Sequence, residues 1–117
     1  MYKPVLCVLL ILFFSCKKEE NNITVSYTVK RMNGISNYSI SYKKSGGVDE
    51  LVGPINQINW NSGILENFRP GELASITLNT NGPKEDYLLR IISNGNIIAE
   101  QEIYSATSTQ SLSAKVY

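Results

Sequence analysis

Ile23-Thr24-Val25-Ser26-Tyr27-Thr28-Val29-Lys30 alternates without a break: every odd position is apolar and every even one polar. Successive side chains of a strand point to opposite faces, so this stretch reads as a half-buried β-strand with its odd positions turned inward. Tyr38-Ser39-Ile40-Ser41-Tyr42-Lys43 repeats the pattern. Further strands are expected at residues 57–60, 73–80, 87–93, 96–104 and 111–117, with a shorter one at 48–52. Turn chemistry separates them: Asn33-Gly34, Ser45-Gly46-Gly47, Asn61-Ser62-Gly63, Pro70-Gly71, Asn81-Gly82-Pro83 and Asn94-Gly95. No stretch sustains a 3.6-residue period, and residues 63–68 are too few for a helix. About seven short strands predict an all-β sandwich, with a small barrel as the alternative.

The Asn94-Gly95 hairpin tests this reading internally. A direct two-residue connection pairs Leu89 with Glu100 and Tyr87 with Glu102, which mixes core and solvent residues on one face. A three-residue loop, Ser93-Asn94-Gly95 with Gly95 left-handed, shifts the register by one. Tyr87, Leu89, Ile91, Ile97, Ala99 and Ile103 then share the inner face, while Arg90, Glu100 and Glu102 share the outer one. Leu88, Ile92 and Ile98 fall outside beside Arg90 and form a candidate partner contact. A covering loop or tether, or plain small size, accounts for the same cluster without a partner.

The chain has 117 residues, 11 basic and 10 acidic side chains, two cysteines and no histidine. This length allows a single domain, which buries about two-thirds of its unfolded surface. Near-balanced charge argues against nucleic acid as a partner, since phosphate neutralisation needs an excess of Lys and Arg. Without histidine there is no Ser-His-Asp or Cys-His catalysis and no histidine-ligated metal.

The first residues read as an address. Lys3 gives a positive end, and residues 5–14 (VLCVLLILFF) are an unbroken apolar run. As a helix these ten residues reach only ~15 Å, half of a ~30 Å hydrocarbon core, so a signal peptide is expected rather than a membrane span. Phe13-Phe14-Ser15-Cys16 resembles the lipobox of bacterial lipoproteins, with Phe where Leu or Val is commoner. That resemblance implies a diacylglycerol on the Cys16 sulfur, cleavage before Cys16 and acylation of the new amine by a palmitate-type chain. An uncleaved N-terminal helix with an incidental Cys16 is the alternative. Two acyl chains suffice for stable anchoring, because each buried CH₂ contributes ~0.8 kcal/mol.

Lys17-Lys18-Glu19-Glu20 follows, and its Lys-Glu-Glu run resembles the short acidic signals that send some Gram-negative lipoproteins to the outer face of the outer membrane; a solvated tether reads the same way. The expected organisation is a leader at residues 1–15, lipidated Cys16 and a tether to residue 22, and a sandwich from 23 to 117. Loss of Lys3 with the leader leaves ten basic and ten acidic side chains, so no long-range steering of a charged partner is expected. Cys7 leaves with the leader, so no free thiol or disulfide is expected in the domain.

Four pieces of the domain resemble the MmpS family of small mycobacterial membrane proteins. They are Tyr27-Thr28-Val29, Ser39-Ile40-Ser41-Tyr42, Ile58-Asn59-Trp60-Asn61-Ser62, and the run from Gly71-Glu72-Leu73 through Leu89-Arg90-Ile91 to Asn94-Gly95-Asn96-Ile97-Ile98. The resemblance implies an immunoglobulin-like β-sandwich and, as a functional alternative, an accessory subunit of an RND-type envelope exporter. A lipid anchor in place of that family's transmembrane helix argues against transferring the partner.

Chemistry is sparse. Asp49-Glu50, Glu85-Asp86 and Glu100 with Glu102 are the carboxylate pairs, the last two residues sharing one strand face at roughly 7 Å. Such pairs serve glycosidases or calcium sites, but a lone strand supplies no cleft, and exposed strand charges commonly serve solubility. No Gly-x-Ser-x-Gly elbow, phosphate loop or metal-ligand cluster occurs. Tyr27, Tyr38, Tyr42 and Tyr87 are expected in the core, as is Trp60, with a ligand platform as the alternative for Trp60. The expectation is an outer-membrane lipoprotein, displayed at the cell surface, that binds a protein or glycan without turnover and without a cofactor.

Overall fold

The computed structural model describes residues 22–80 and 82–117. Among them nine strands run in chain order: β1 (Ile23–Arg31), β2 (Tyr38–Lys43), β3 (Asp49–Ile55), β4 (Asn59–Asn61), β5 (Leu65–Phe68), β6 (Leu73–Thr80), β7 (Glu85–Ser93), β8 (Asn96–Ala106) and β9 (Gln110–Lys115). They form two antiparallel sheets packed as an all-β sandwich. Sheet A is ordered β4-β1-β7-β8, with β5 also pairing β1; sheet B is ordered β3-β2-β6-β9. β4 meets β1 at Thr28–Lys30 and β5 meets it at Ile23 and Val25, so the two short strands share one edge in tandem.

Alternation builds the core as the sequence predicts. Val25, Tyr27 and Val29 of β1, Leu89 and Ile91 of β7, and Ala74, Ile76 and Leu78 of β6 are all at most 1% exposed. Each such Val, Leu or Ile side chain contributes roughly 1.5–3 kcal/mol by leaving water. The four expected tyrosines are buried too. Tyr27 ties the sheets together: its hydroxyl donates to the Lys43 carbonyl at 2.7 Å and accepts the Ser75 N–H at 3.1 Å. Its ring lies 5.3 Å from Tyr42, which lies 5.6 Å from Trp60. Trp60 is half-buried and packs against the core from the β4 edge.

Two expectations need correction. The count of about seven strands rises to nine, and β5 has no counterpart in the alternation pattern. Leu65-Glu66-Asn67-Phe68 lacks that pattern because Asn67 takes a left-handed φ of 70°, yet β5 is held by pairing to β1. The hairpin loop is two residues, not three. Asn94 and Gly95 both have positive φ, 49° and 81°, which suits the twist of adjoining strands, and Ser93 pairs with Asn96. A bulge then supplies the missing shift: Ile92 faces Ile97 but Ile91 faces Ala99. Tyr87, Leu89, Ile91 and Ile103 are buried as expected. Ile97 instead sits opposite Ile92 on the outer face and is 53% exposed.

Candidate binding face on sheet A

The even positions of β1 and β7 face outward, and β4 extends that surface. Lys30 pairs with Asn59 on one side and Leu88 on the other; Thr28 pairs likewise with Asn61 and Arg90. These six residues, with Val29 and Trp60, line a shallow depression of about 250 Å³. Leu88 forms its half-buried apolar floor, and hydroxyl, amide and cationic groups surround it. Lys30 has no salt bridge among the described residues. Arg90 Nε donates to Glu100 Oε2 at 2.6 Å, which holds the guanidinium at the rim.

Of the sequence-predicted contact residues, Leu88 and Arg90 line this depression. Ile92 is half-buried on the same face, farther along β7, and Ile98 is 39% exposed at the bulge. Thr28, Lys30, Asn59 and Asn61 were not anticipated. Their signal is the parity of β1, whose even positions face out beside a short strand carrying Asn59 and Asn61 two residues apart. Cys16, Lys17, Lys18, Glu19 and Glu20 lie outside the described residues.

The carboxylate pairs are dispersed among structural partners. Asp49 and Glu50 form ion pairs with Lys43 at 3.1 Å and Lys44 at 3.4 Å. Glu100 holds Arg90, and Glu102 accepts the Tyr104 hydroxyl, a hydrogen bond that raises the Tyr104 pKa. Asp86 accepts from Asn33 Nδ2 at 2.9 Å and from the Ser105 N–H at 2.8 Å.

Glu85 is only 4% exposed, and Arg31 only 6%. Both grip one backbone residue: Arg31 Nη1 donates to the Ser36 carbonyl at 2.8 Å, and Glu85 Oε1 accepts the Ser36 N–H at 3.1 Å. The buried charges thus clamp the β1–β2 loop from both sides. Parity could have placed them, since residue 31 continues the inward odd positions of β1 and residue 85 those of β7. Nearby, burial pushes Tyr38 up to about 12, with the Arg31 charge opposing it. No group of three or more potential metal ligands occurs among the described residues, and no described helix is long and apolar enough to cross a membrane.

No protein-family profile matches the chain. No curated protein matches it either. Among solved structures it is similar to a DUF4425 family protein from Bacteroides ovatus ATCC 8483. That likeness has a TM-score of 0.31 at 10% identity, and it covers 82% of this chain and 83% of the other. It is too distant to assign a family.

Proposed function

We propose that this chain is a non-catalytic binding module of the cell envelope, anchored through acylated Cys16 and recognising a glycan or protein through the outer face of sheet A. The outward depression around Leu88 carries this reading. It combines an apolar floor with the Thr28 hydroxyl, the Asn59 and Asn61 amides and the Lys30 ammonium, groups suited to polar recognition on a firm sheet. A glycan fits this donor set first, because a shallow polar surface with one apolar patch matches a sugar ring's hydroxyl edge and C–H face. The engagement of the carboxylate pairs by lysines, arginine, tyrosine and backbone supports a role without turnover. Its location at the outer membrane, displayed outward, is part of the same proposal and draws on the residues from 13 to 20. The exporter-accessory reading draws only on the likeness to MmpS proteins.

Two measurements test this. Protease shaving of intact cells should remove the wild-type domain, while Cys16→Ala should lose the membrane-bound pool. On a panel of envelope polysaccharides the detergent-solubilised protein should bind saturably, and Leu88→Asp should abolish binding without changing the circular dichroism spectrum. Equal binding by Leu88→Asp and wild type contradicts the assignment of the face.

A further inference from the structure

The chain enters the sandwich at one particular corner. Asn22 and Thr24 share a depression with Glu66 and Asn67, beside the β1–β5 pairing. Glu66 also borders a second, broader groove of about 480 Å³, lined by Lys44, Ser45, Val48, Ile64 and Leu65. This shoulder presents Ile64 at 75% exposure and Val48 at 55%, two large apolar side chains that the fold leaves in water. The frame holding them is fixed by Glu72, whose carboxylate accepts the Gly46 N–H at 2.5 Å and the Arg69 N–H at 2.8 Å. A short 3-10 turn at Ser45–Gly47 is thereby riveted to the β5–β6 connection.

We propose that this shoulder, with Ile64 and Val48 foremost, rests in the headgroup layer of the membrane that holds the acyl chains. The inference rests on the reading of Cys16 as a lipid anchor. The six links from Cys16 to Asn22 reach at most about 20 Å, less than the roughly 30 Å length of β1, so the corner where the chain enters stays near the bilayer. The tether, Lys17-Lys18-Glu19-Glu20-Asn21-Asn22, is wholly polar and offers the two apolar side chains no cover. Charge on the shoulder is mixed: Lys44 pairs with Glu50 at 3.4 Å, and Glu66 and Arg69 bring one charge of each sign. Contact is therefore apolar in origin and insensitive to salt.

The test uses the mature lipidated chain in phosphatidylethanolamine–phosphatidylglycerol vesicles doped with a headgroup-level nitroxide lipid. A fluorophore is attached in turn at Ile64→Cys, at Val48→Cys and, as a distal control, at Ile35→Cys, which is 87% exposed in the β1–β2 loop. Quenching should be several-fold stronger at positions 64 and 48 than at 35, and unchanged by added salt. Adding Ile64→Asp to the Val48→Cys chain should return that label to water while the protein still floats with the vesicles. Equal quenching at all three sites in floating protein overturns this proposal alone. Protein that fails to float, with a free thiol at Cys16, overturns the anchor and this proposal together.

Discussion

The carboxylate of Glu85 occupies the space directly over Gly34, where any β-carbon would collide with it. Gly34 also has a φ of 78°, and the same carboxylate holds the Ser36 N–H. Backbone strain and displacement of a buried charge therefore act together at this position. At Gly95, φ is 81° but the space a β-carbon would enter is open. Gly95→Ala should cost about 1 kcal/mol from strain alone. Gly34→Ala should cost at least ~2 kcal/mol more, because a buried charged group loses its place. Urea midpoints of the two variants check the order.

The Tyr27 hydroxyl bridges the two sheets, and burial raises its pKa to about 12. Tyr38 is raised to a similar value by the same cause. An unfolded tyrosine ionises near its ordinary 10, so between about 10 and 12 the unfolded chain loses protons that the folded one retains. Stability contributed by these residues is complete below about pH 10 and falls as pH rises toward 12. Thermal melts across that window should show the decline, with the share of tyrosinate absorbance that belongs to buried Tyr27 and Tyr38 appearing together with unfolding. Tyr27→Phe leaves the Ser75 N–H without its acceptor and should cost about 1–3 kcal/mol at neutral pH.

Arg90 and Glu100 make the shortest ion pair of the described residues, at 2.6 Å, yet both side chains are about 40% exposed. Exposed pairs contribute little after solvent screening and side-chain ordering. Glu100→Gln should therefore shift stability by under about 1 kcal/mol. Its effect belongs in binding: a released Arg90 should change partner affinity measurably while the melting curve stays in place.

The strands that alternate were legible from residue types alone, because one buried face forces period two. β1, β2 and β6 carry that signature almost throughout, whereas in β7 burial alternates but Leu88 and Ile92 are apolar on the outer side. β5 does not: its place depends on pairing to β1, a tertiary fact with no local trace in Leu65-Glu66-Asn67-Phe68. In the β7–β8 hairpin the sequence demanded a one-residue shift but left its location open between loop and strand. The protein places it at Ile97–Ile98, so Ile97 faces out. Deleting Ile98 should remove the bulge while keeping Tyr87 opposite Ile103, and the variant should remain folded by circular dichroism. Loss of folding would show that the bulge is required.

The candidate face on sheet A was half legible. Leu88 and Arg90 follow from hairpin parity, whereas Asn59 and Asn61 join them only because β4 pairs at the Thr28–Lys30 stretch of β1. The buried Arg31 and Glu85 obey the same parity as their apolar neighbours. Their charge hides them from a search for hydrophobic cores.

In the proposed function, acylated Cys16 ties this sandwich to a bilayer. Intact-mass spectrometry of the protein extracted from membranes tests it most directly. The predicted mass is that of a chain beginning at Cys16 with a diacylglyceryl thioether and an acylated amine. A chain that retains residues 1–15, or begins elsewhere with an unmodified thiol, contradicts it.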